Sequence, residues 1–459
     1  MYTSDTIVAP ATAAGQGAVA IVRLSGQSAF PILRRIWHPL SGASLKAREL
    51  SLGEVCDPAS GAPIDRALAV AMPGPKSFTG EDVAEIHCHG GVFIVRQIVA
   101  AALGAGARMA SPGEFSRRAF LNGRIDLAEA EAVADLVAAQ SESALAQALS
   151  QLTGALSSKV RLLREQVIAI RAYLEAHIDF SDEDLALPGA DEIEARCARL
   201  FADLKRLHDS FARGRLTRAG AKAAIIGKPN VGKSSLLNLL LGVERAIVTP
   251  IPGTTRDLIE DTVRLGPYSL ILQDGAGIRE TGEIVERIGV ERARAGAAQA
   301  DLLLVVFDAS RPLEDEDGEV IRLCLKRPTV ALLNKIDLPQ QIGRDDLRRY
   351  GLDAAAVAVS AVRGDGLEQL RAELTTMLER LGGGAHNESI AVSRERHRVA
   401  LAEALAALDS ARGALASKMP PEIVAFDINA VAHALARITG EVTSEDVLDA
   451  IFGEFCIGK

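Results

Sequence analysis

The sequence predicts a multidomain chain: an α/β unit first, then a helical bundle, with a second α/β unit inserted into that bundle. Three observations predict it. Over the first part of the chain, short apolar and β-branched runs alternate with Gly- and Pro-rich turns. From about Ile125 the apolar spacing changes to threes and fours, the period of a helix. That pattern stops near residue 218, gives way to apolar runs that each end in a polar motif, and resumes after residue 382.

At 459 residues the chain is too long for one ordinary domain, and two or three are expected. Hydrophobic residues make up 48%, ample for packed cores, while aromatics at 4% and abundant Ala favour closely packed helices. The net charge of −9 argues against holding nucleic acid by bulk electrostatics, so an RNA substrate would need a local patch or a partner. Apolar runs fall far short of a membrane span. Residues 1–10 lack the basic-then-apolar order of a signal peptide. A cytoplasmic location is therefore expected, with no membrane contact. The five cysteines, Cys56, Cys88, Cys197, Cys324 and Cys456, are scattered, without C-x-x-C, and form neither a disulfide framework nor a zinc pattern.

Residues 1–122 form the first unit. Strands are expected at 19–24, 68–72 and 83–89, a turn-rich loop at 73–80, and helices at 93–102 and 114–121. His87-Cys88-His89 sits in a strand, where neighbours point to opposite faces. Only His87 and His89 share a face, so an ordinary strand is preferred to a metal site. Residues 123–218 form the first part of the helical domain. Leu145, Leu149, Leu152, Leu156, Val160, Leu163, Val167, Ile170, Leu174 and Ile178 make one apolar stripe along a very long helix or helix pair. An acidic stretch at 181–189 interrupts it. A second helix at 191–213 buries Ile193, Cys197, Leu200, Leu204 and Leu207. Residues 382–459 return to the bundle after a flexible Gly382-Gly383-Gly384, with helices at 393–417, 427–438 and 445–452, the last opened by a capping box at 443–446.

The insert, residues 219–381, carries the chemistry. Gly227-Lys228-Pro229-Asn230-Val231-Gly232-Lys233-Ser234 fits G-x-x-x-x-G-K-[ST]. A strand-like run precedes it at 222–226 and a Leu-rich helical run follows at 235–241, the context the motif requires. Its glycines let backbone N–H groups approach phosphate oxygens. Val231, Gly232 and Ser235 complete the cradle, Lys233 would reach the β- and γ-phosphates, and Ser234 would ligate Mg²⁺. Asn334-Lys335-Ile336-Asp337, after the apolar run 330–333, is N-K-x-D. Asp337 can accept two N–H bonds from the guanine edge, and adenine would leave it unpaired. Ser360, Ala361 and Val362 supply a supporting base-contact loop. Asp274-Gly275-Ala276-Gly277 follows a strand-like run at 268–272 and fits D-x-x-G. Gly253-Thr254-Thr255-Arg256-Asp257 offers switch-loop hydroxyls. Four motifs in this order define a Ras-like P-loop GTPase domain binding GTP. Ras-like GTPases place a Gln after D-x-x-G to orient water. Here that position is Ile278, so the water must be positioned by another group.

Together with Asp5-Thr6-Ile7-Val8-Ala9, the segments 73–82, 112–115 and 118–122, and the final Phe455-Cys456-Ile457-Gly458-Lys459, these motifs resemble the MnmE (TrmE) family of tRNA-modification GTPases along the whole chain. The resemblance implies an N-terminal α/β tetrahydrofolate-binding and dimerisation domain. It implies a homodimer and a flavin-containing partner, MnmG (GidA), in a heterotetramer or larger complex. It implies modification of carbon 5 of the wobble uridine of certain tRNAs, with 5-formyl- or methylene-tetrahydrofolate giving the one-carbon unit. It also implies activation by K⁺, held by Asn230, by Thr249 and Ile251, and by Thr254, in a loop that includes Pro250, Pro252 and Gly253. Thr255 matches the second Mg²⁺ ligand. Glu286 matches the glutamate that orients the attacking water, and Arg279 a residue that steadies it; unaided, Glu286 reads as a solvated helix carboxylate. Arg23, Glu81, Arg124 and Lys459 match folate contacts. Cys456 is either catalytic or structural. The chain departs from the family's Asp-Thr-Ala-Gly at Gly275. Two other readings compete: a regulatory GTPase of ribosome assembly, which needs neither the first domain nor the Cys456 segment, and a folate enzyme with a vestigial GTPase domain, disfavoured because Lys233, Ser234, Thr255 and Asp274 are present.

Overall fold

The computed structural model describes residues 5–42, 45–179, 189–243, 261–273, 297–382 and 390–459. In the first domain, strands β1 (Ile7–Pro10), β2 (Gly17–Ser25), β3 (Trp37–Pro39), β4 (Ser51–Cys56), β5 (Pro63–Met72), β6 (Val83–Gly90) and β7 (Arg108–Met109) form one sheet, ordered β3-β4-β5-β6-β2-β1-β7. Alternation decides its faces. Ala20, Val22 and Leu24 of β2 and Ile86 and Cys88 of β6 are buried with residues of helices Ala29–Ile36 and Val92–Gly104. The other face is open. Across it, Ile21 pairs with His87, His87 with Leu68, and Leu68 with Leu52. Leu52 is 51% exposed and Val19 61%.

The helical domain packs Leu127–Ala138, Glu142–Leu152, Ala155–Asp179, Ala190–Asp209 and Phe211–Ala219 with Glu395–Ala416, Pro421–Thr439 and Glu445–Gly453. Its core joins the two halves. Leu156, Val160, Leu163, Val167, Ile170 and Leu174 meet Leu200, Leu204, Leu401, Leu408, Ile428 and Leu435.

The inserted domain has strands β8 (Ala221–Ile226), β9 (Asp261–Leu265), β10 (Tyr268–Gln273), β11 (Leu302–Asp308), β12 (Thr329–Asn334) and β13 (Ala355–Ala358), ordered β13-β12-β11-β8-β10-β9. Every pairing is parallel except β9 with β10. Near-continuous apolar strands such as Leu302–Asp308 are what a parallel sheet covered on both faces requires. The chain enters and leaves this domain side by side. Val392 N donates to Ser210 Oγ at 3.1 Å, and Arg218 Nε donates to Ser393 O at 3.3 Å. Gly214 is obligatory at this crossing, since a Cβ there would lie 2.2 Å from Val392 O.

Four sequence expectations change. The stripe from Leu145 to Ile178 lies on a helix pair, the second of the two expected forms, divided at Gly154 (φ +81°), but it is not buried throughout. Leu145 and Leu149 are exposed, because the shorter helix buries Ala144, Ala148 and Gln151 instead. The helix expected at 191–213 stops at Asp209, where Ser210 turns the chain. The helix expected from 427 begins at Pro421, in the first turn, where a missing N–H costs nothing. The helix Glu445–Gly453 is N-capped by Ser444 with no side-chain bond, so the capping box at 443–446 does not form. The interruption at 181–188, Gly383 and Gly384 lie outside the described residues.

Candidate functional site: a nucleotide cleft and a second polar cluster

Phosphate loop and base motif are held at the carboxyl ends of parallel strands. The loop leaves β8 and runs into the helix Lys233–Val243. Gly227 (φ +152°), Asn230 (φ +64°) and Gly232 (φ +98°) give it its curvature. A Cβ on Gly232 would sit 2.2 Å from Asn334 Nδ2, so the loop and the base motif interlock only with glycine there. Asn334 Nδ2 donates to Val231 O at 2.7 Å, and Asn334 Oδ1 accepts from Ala361 N at 3.0 Å. One buried carboxamide thus ties the phosphate loop to the 360–362 loop. Ser360 Oγ donates to Asp337 Oδ1 at 2.7 Å and holds that carboxyl below its usual range, ionised and ready to accept. Lys233 Nζ reaches back to the carbonyls of Gly227 and Lys228 at 2.9 and 2.7 Å. Ser234 is partly exposed beside it, Ser235 is exposed, and Val362 stands 83% exposed at the rim.

Lys228, which sequence reasoning left without a role, bridges to Glu314 and Asp317 at 2.6 and 2.7 Å. Lys335 pairs with Asp308 at 2.6 Å. The segment from Asp308 to Asp317 therefore ties both ends of the cleft, enclosing a cavity of about 70 Å³. No motif spacing flags this, because the partners are over 80 positions from Lys228 in the chain.

Thr249, Pro250, Ile251, Pro252, Gly253, Thr254, Thr255, Asp274, Gly275, Ala276, Gly277, Arg279 and Glu286 lie outside the described residues.

A second cluster forms on the first domain. Arg23 Nε pairs with Glu85 at 2.8 Å, and its guanidinium lies 6.0 and 5.8 Å from the Phe78 and Phe115 ring centres. Glu81 accepts from Ser25 Oγ at 2.7 Å and from the buried Arg118 at 3.2 Å. The Arg124 stem passes over Gly80. The 455–459 segment comes to this cluster from the far end of the chain. Phe455 is buried with Leu127, Leu448 and Phe452. Gly458 presses on Pro10, where any Cβ would be 1.9 Å from the carbonyl oxygen. Burial and the nearby Arg23 charge pull the Lys459 ammonium below its usual pKa. Glu85 and Arg118 are further partners that no spacing or motif assigns.

Cys56, Cys88, Cys197 and Cys324 are buried, and burial pushes the last three thiols up to about 11, 11 and 12. Cys456 alone is exposed, so accessible thiol chemistry is confined to it. His87 pairs with Glu85 and His89 with Asp65. Among the described residues no cluster of His, Cys, Asp and Glu could hold a metal ion, and no helix is long and apolar enough to cross a membrane.

A family model described as the GTP-binding protein TrmE N-terminus matches residues 6–124, and one for the MnmE helical domain matches residues 127–456. The tRNA modification GTPase MnmE of Clostridioides difficile (strain 630) is 42% identical over 462 residues, covering 100% of both chains. That of Roseiflexus sp. (strain RS-1) is 45% identical over 471 residues, again covering 100% of both. Among solved structures, the G domain of the T. maritima FeoB iron transporter is 28% identical, covering 34% of this chain and 98% of that one at a TM-score of 0.27. With the helical model spanning the nucleotide cleft and full-length relatives at this identity, the chain belongs to the MnmE family of tRNA modification GTPases.

Proposed function

We propose that this GTPase modifies carbon 5 of the wobble uridine of certain tRNAs, acting as a homodimer with the flavin-containing partner MnmG (GidA), and that the cluster at Arg23 is its tetrahydrofolate site. One observation carries the folate reading: the 455–459 segment lies against the first domain, with Gly458 on Pro10 and the Lys459 ammonium within the field of the Arg23 charge. Two cations held close together suit the carboxylates of a folate, and the Glu81 carboxylate suits the N–H edge of a pterin. Glu81 already accepts from Ser25 and Arg118, so its orientation is fixed before any ligand arrives. Tetrahydrofolate, when bound, supplies the one-carbon unit. Arg23, Arg124 and Lys459 bind and orient, and Cys456 is the exposed nucleophile within reach in sequence.

The open sheet face supports the dimer. Arg23 and Glu85 lie on the same face as Leu52, Leu68 and Val19, so a second copy seated there would also wall the folate site. In the nucleotide domain, Ser234 and Thr255 would hold Mg²⁺, while Asn230 with Thr249, Ile251 and Thr254 would hold K⁺. Charge placed there lowers the barrier for hydrolysis, as an arginine finger does elsewhere. Glu286, steadied by Arg279, is assigned to the attacking water in place of the absent glutamine. The domain limits are proposed as 1–122, 123–218, 219–381 and 382–459, so that residues 219–381 fold and bind GTP alone. A cytoplasmic location follows from a tRNA substrate.

The deciding measurement is nucleoside analysis of tRNA from cells lacking this protein. Loss of the 5-substituted wobble uridine, restored by the intact gene, is expected. A normal nucleoside profile with a ribosome-assembly defect would favour the regulatory GTPase instead. For the folate site, equilibrium dialysis with 5-formyl-tetrahydrofolate should show binding that Arg23→Ala abolishes.

A further inference from the structure

Adjoining faces of the helix Leu127–Ala138 meet two different parts of the molecule. Leu127 and Ala130 pack with Leu448, Ile451, Phe452 and Phe455, which seat the 455–459 segment. Glu131 and Asp135, one turn apart, are buried and face the two crossings between the bundle and the nucleotide domain. Glu131 accepts from Arg396 Nε at 2.5 Å and Nη2 at 2.8 Å, and lies 3.0 Å from His397 Nε2. Arg394 Nη2 donates to Asp135 at 2.7 Å, and its Nη1 is 3.6 Å from Glu454. Arg218, on the outgoing crossing, is 3.5 Å from Asp135. One aspartate thus touches both crossings, and one arginine touches that aspartate together with the residue two before Cys456.

Three carboxylates face three guanidiniums, so the charges balance. Yet a buried ionic network is a weak way to stabilise a bundle, and apolar residues would serve as well or better. It is also incompletely satisfied. Ser393 Oγ, Arg394 Nε and His397 Nδ1 are buried without a hydrogen-bond partner among the described residues. Such atoms are uncommon and call for an explanation, and here they fall within five positions of one another at the returning crossing. A junction built only for this arrangement would satisfy them.

We propose that Arg394 is a positioning residue that couples the seat of the nucleotide domain to the segment bearing Cys456 and Lys459. When the crossings shift, Arg394 exchanges its carboxylate partners, the helix Leu127–Ala138 follows, and the 455–459 segment moves on the first domain. The proposal rests on the reading of that segment as part of the modification centre. Because the Glu454 side chain is 71% exposed, Glu454→Gln removes the last link without disturbing the core.

The test compares wild type, Glu454→Gln, Arg394→Met and Arg394→Lys as full-length proteins. Three quantities are read: GTP turnover, the modified wobble uridine in a complemented deletion strain, and hydrogen exchange of residues 455–459 with GDP and with a non-hydrolysable GTP analogue. For Glu454→Gln, turnover should stay within about twofold of wild type, as surface substitutions usually do little. Modified uridine should fall at least about fivefold, and the nucleotide dependence of exchange should vanish. Arg394→Lys should fall between wild type and Arg394→Met. Should Arg394→Met fail to fold, Glu454→Gln decides. Full modification by Glu454→Gln, or wild-type exchange that ignores the nucleotide, overturns the proposal. A wild type that modifies no uridine overturns the functional reading itself, which the exchange measurement does not presuppose.

Discussion

The nucleotide cleft and the cluster at Arg23 are built on opposite plans. The cleft is made of short contiguous stretches, each placed at the end of a parallel strand, and much of its recognition comes from backbone groups. The cluster is made of single side chains from Arg23, Glu81, Arg124 and Lys459, brought together by a sheet and by a segment from the far end of the chain. Backbone recognition needs special backbone geometry, and that leaves glycines and an asparagine at fixed offsets. Side-chain recognition needs only convergence in space, and that leaves no local mark. The two sites also stand in different domains, joined through the bundle, so each should be breakable without the other.

The largest expected effect is at Lys233. Lys233→Ala should lower GTP turnover by about 10³, the upper range for removing one preorganised charge from a reacting centre. Folate affinity, measured by dialysis on the same protein, should not change. With no nucleotide present, a parallel loss of folate binding would show that the substitution damages the chain beyond the nucleotide site.

Asn230 sharpens the comparison within the loop. Its φ of +64° is a left-handed conformation that asparagine tolerates well, which alone explains its presence there. Asn230→Gly keeps that backbone and removes only the carboxamide. If the side chain holds K⁺, turnover in potassium should fall by about 10² to the sodium rate, with GTP affinity unchanged. Retained potassium stimulation would assign the residue to backbone geometry alone.

Lys459→Ala tests the other plan. One lost hydrogen bond between charged groups is worth about 1.5–3 kcal/mol, so folate affinity should weaken roughly 10- to 150-fold. Turnover of GTP should stay at the wild-type level. Unchanged folate affinity would remove Lys459 from the site.

The smallest effect concerns the bundle between the two sites. Burial first, and then Arg396, push the His397 pKa below its usual value. The folded chain therefore resists taking up a proton that the unfolded chain accepts near pH 6.5. Stability from this group is complete above that pH and is lost as pH falls below it, at up to about 1.4 kcal/mol per unit. Burial works against the ionised Glu131, but the Arg396 guanidinium, bonded to it at 2.5 and 2.8 Å, outweighs burial and holds that carboxyl well below its usual range. Its contribution is lost only in the more acidic window below about pH 4.3. Urea midpoints at pH 7.5 and 5.5 should differ less for His397→Gln than for wild type. An equal difference would show that His397 does not titrate in this window.

Most of the fold could be read before the structure, for reasons that show in particular elements. Val330, Ala331, Leu332 and Leu333 form a continuous apolar run with a polar stop, and a buried parallel strand needs nothing more. The stripe failed where its rule stopped applying. Leu145 and Leu149 keep the spacing of Leu156 and Val160, but Gly154 turns the chain and puts Ala144 and Ala148 inside. Periodicity reports that a face is apolar and leaves open which face a tertiary neighbour covers. In the nucleotide site, Asn334 and Asp337 were legible because they lie only three positions apart, whereas Lys228 with Asp317 was not. Arg118, buried against Asp5, Glu81 and Glu114, is visible only once β1 and the helix Glu114–Leu121 are packed together.

The split core of the bundle has a consequence for how the protein is made. Arg171 bonds to Asn429, and the apolar face of the helix Ala155–Asp179 is completed by the helix Pro421–Thr439. On a ribosome adding ~5–20 residues per second, the first helix waits roughly 10–50 s for the second to emerge. The nucleotide domain lies wholly within that interval, and among the described residues its core includes none from the later helices. It therefore completes its fold first, while Leu156, Leu163 and Ile170 remain uncovered. This order places the greatest risk of aggregation on a half-made bundle carrying a finished nucleotide domain.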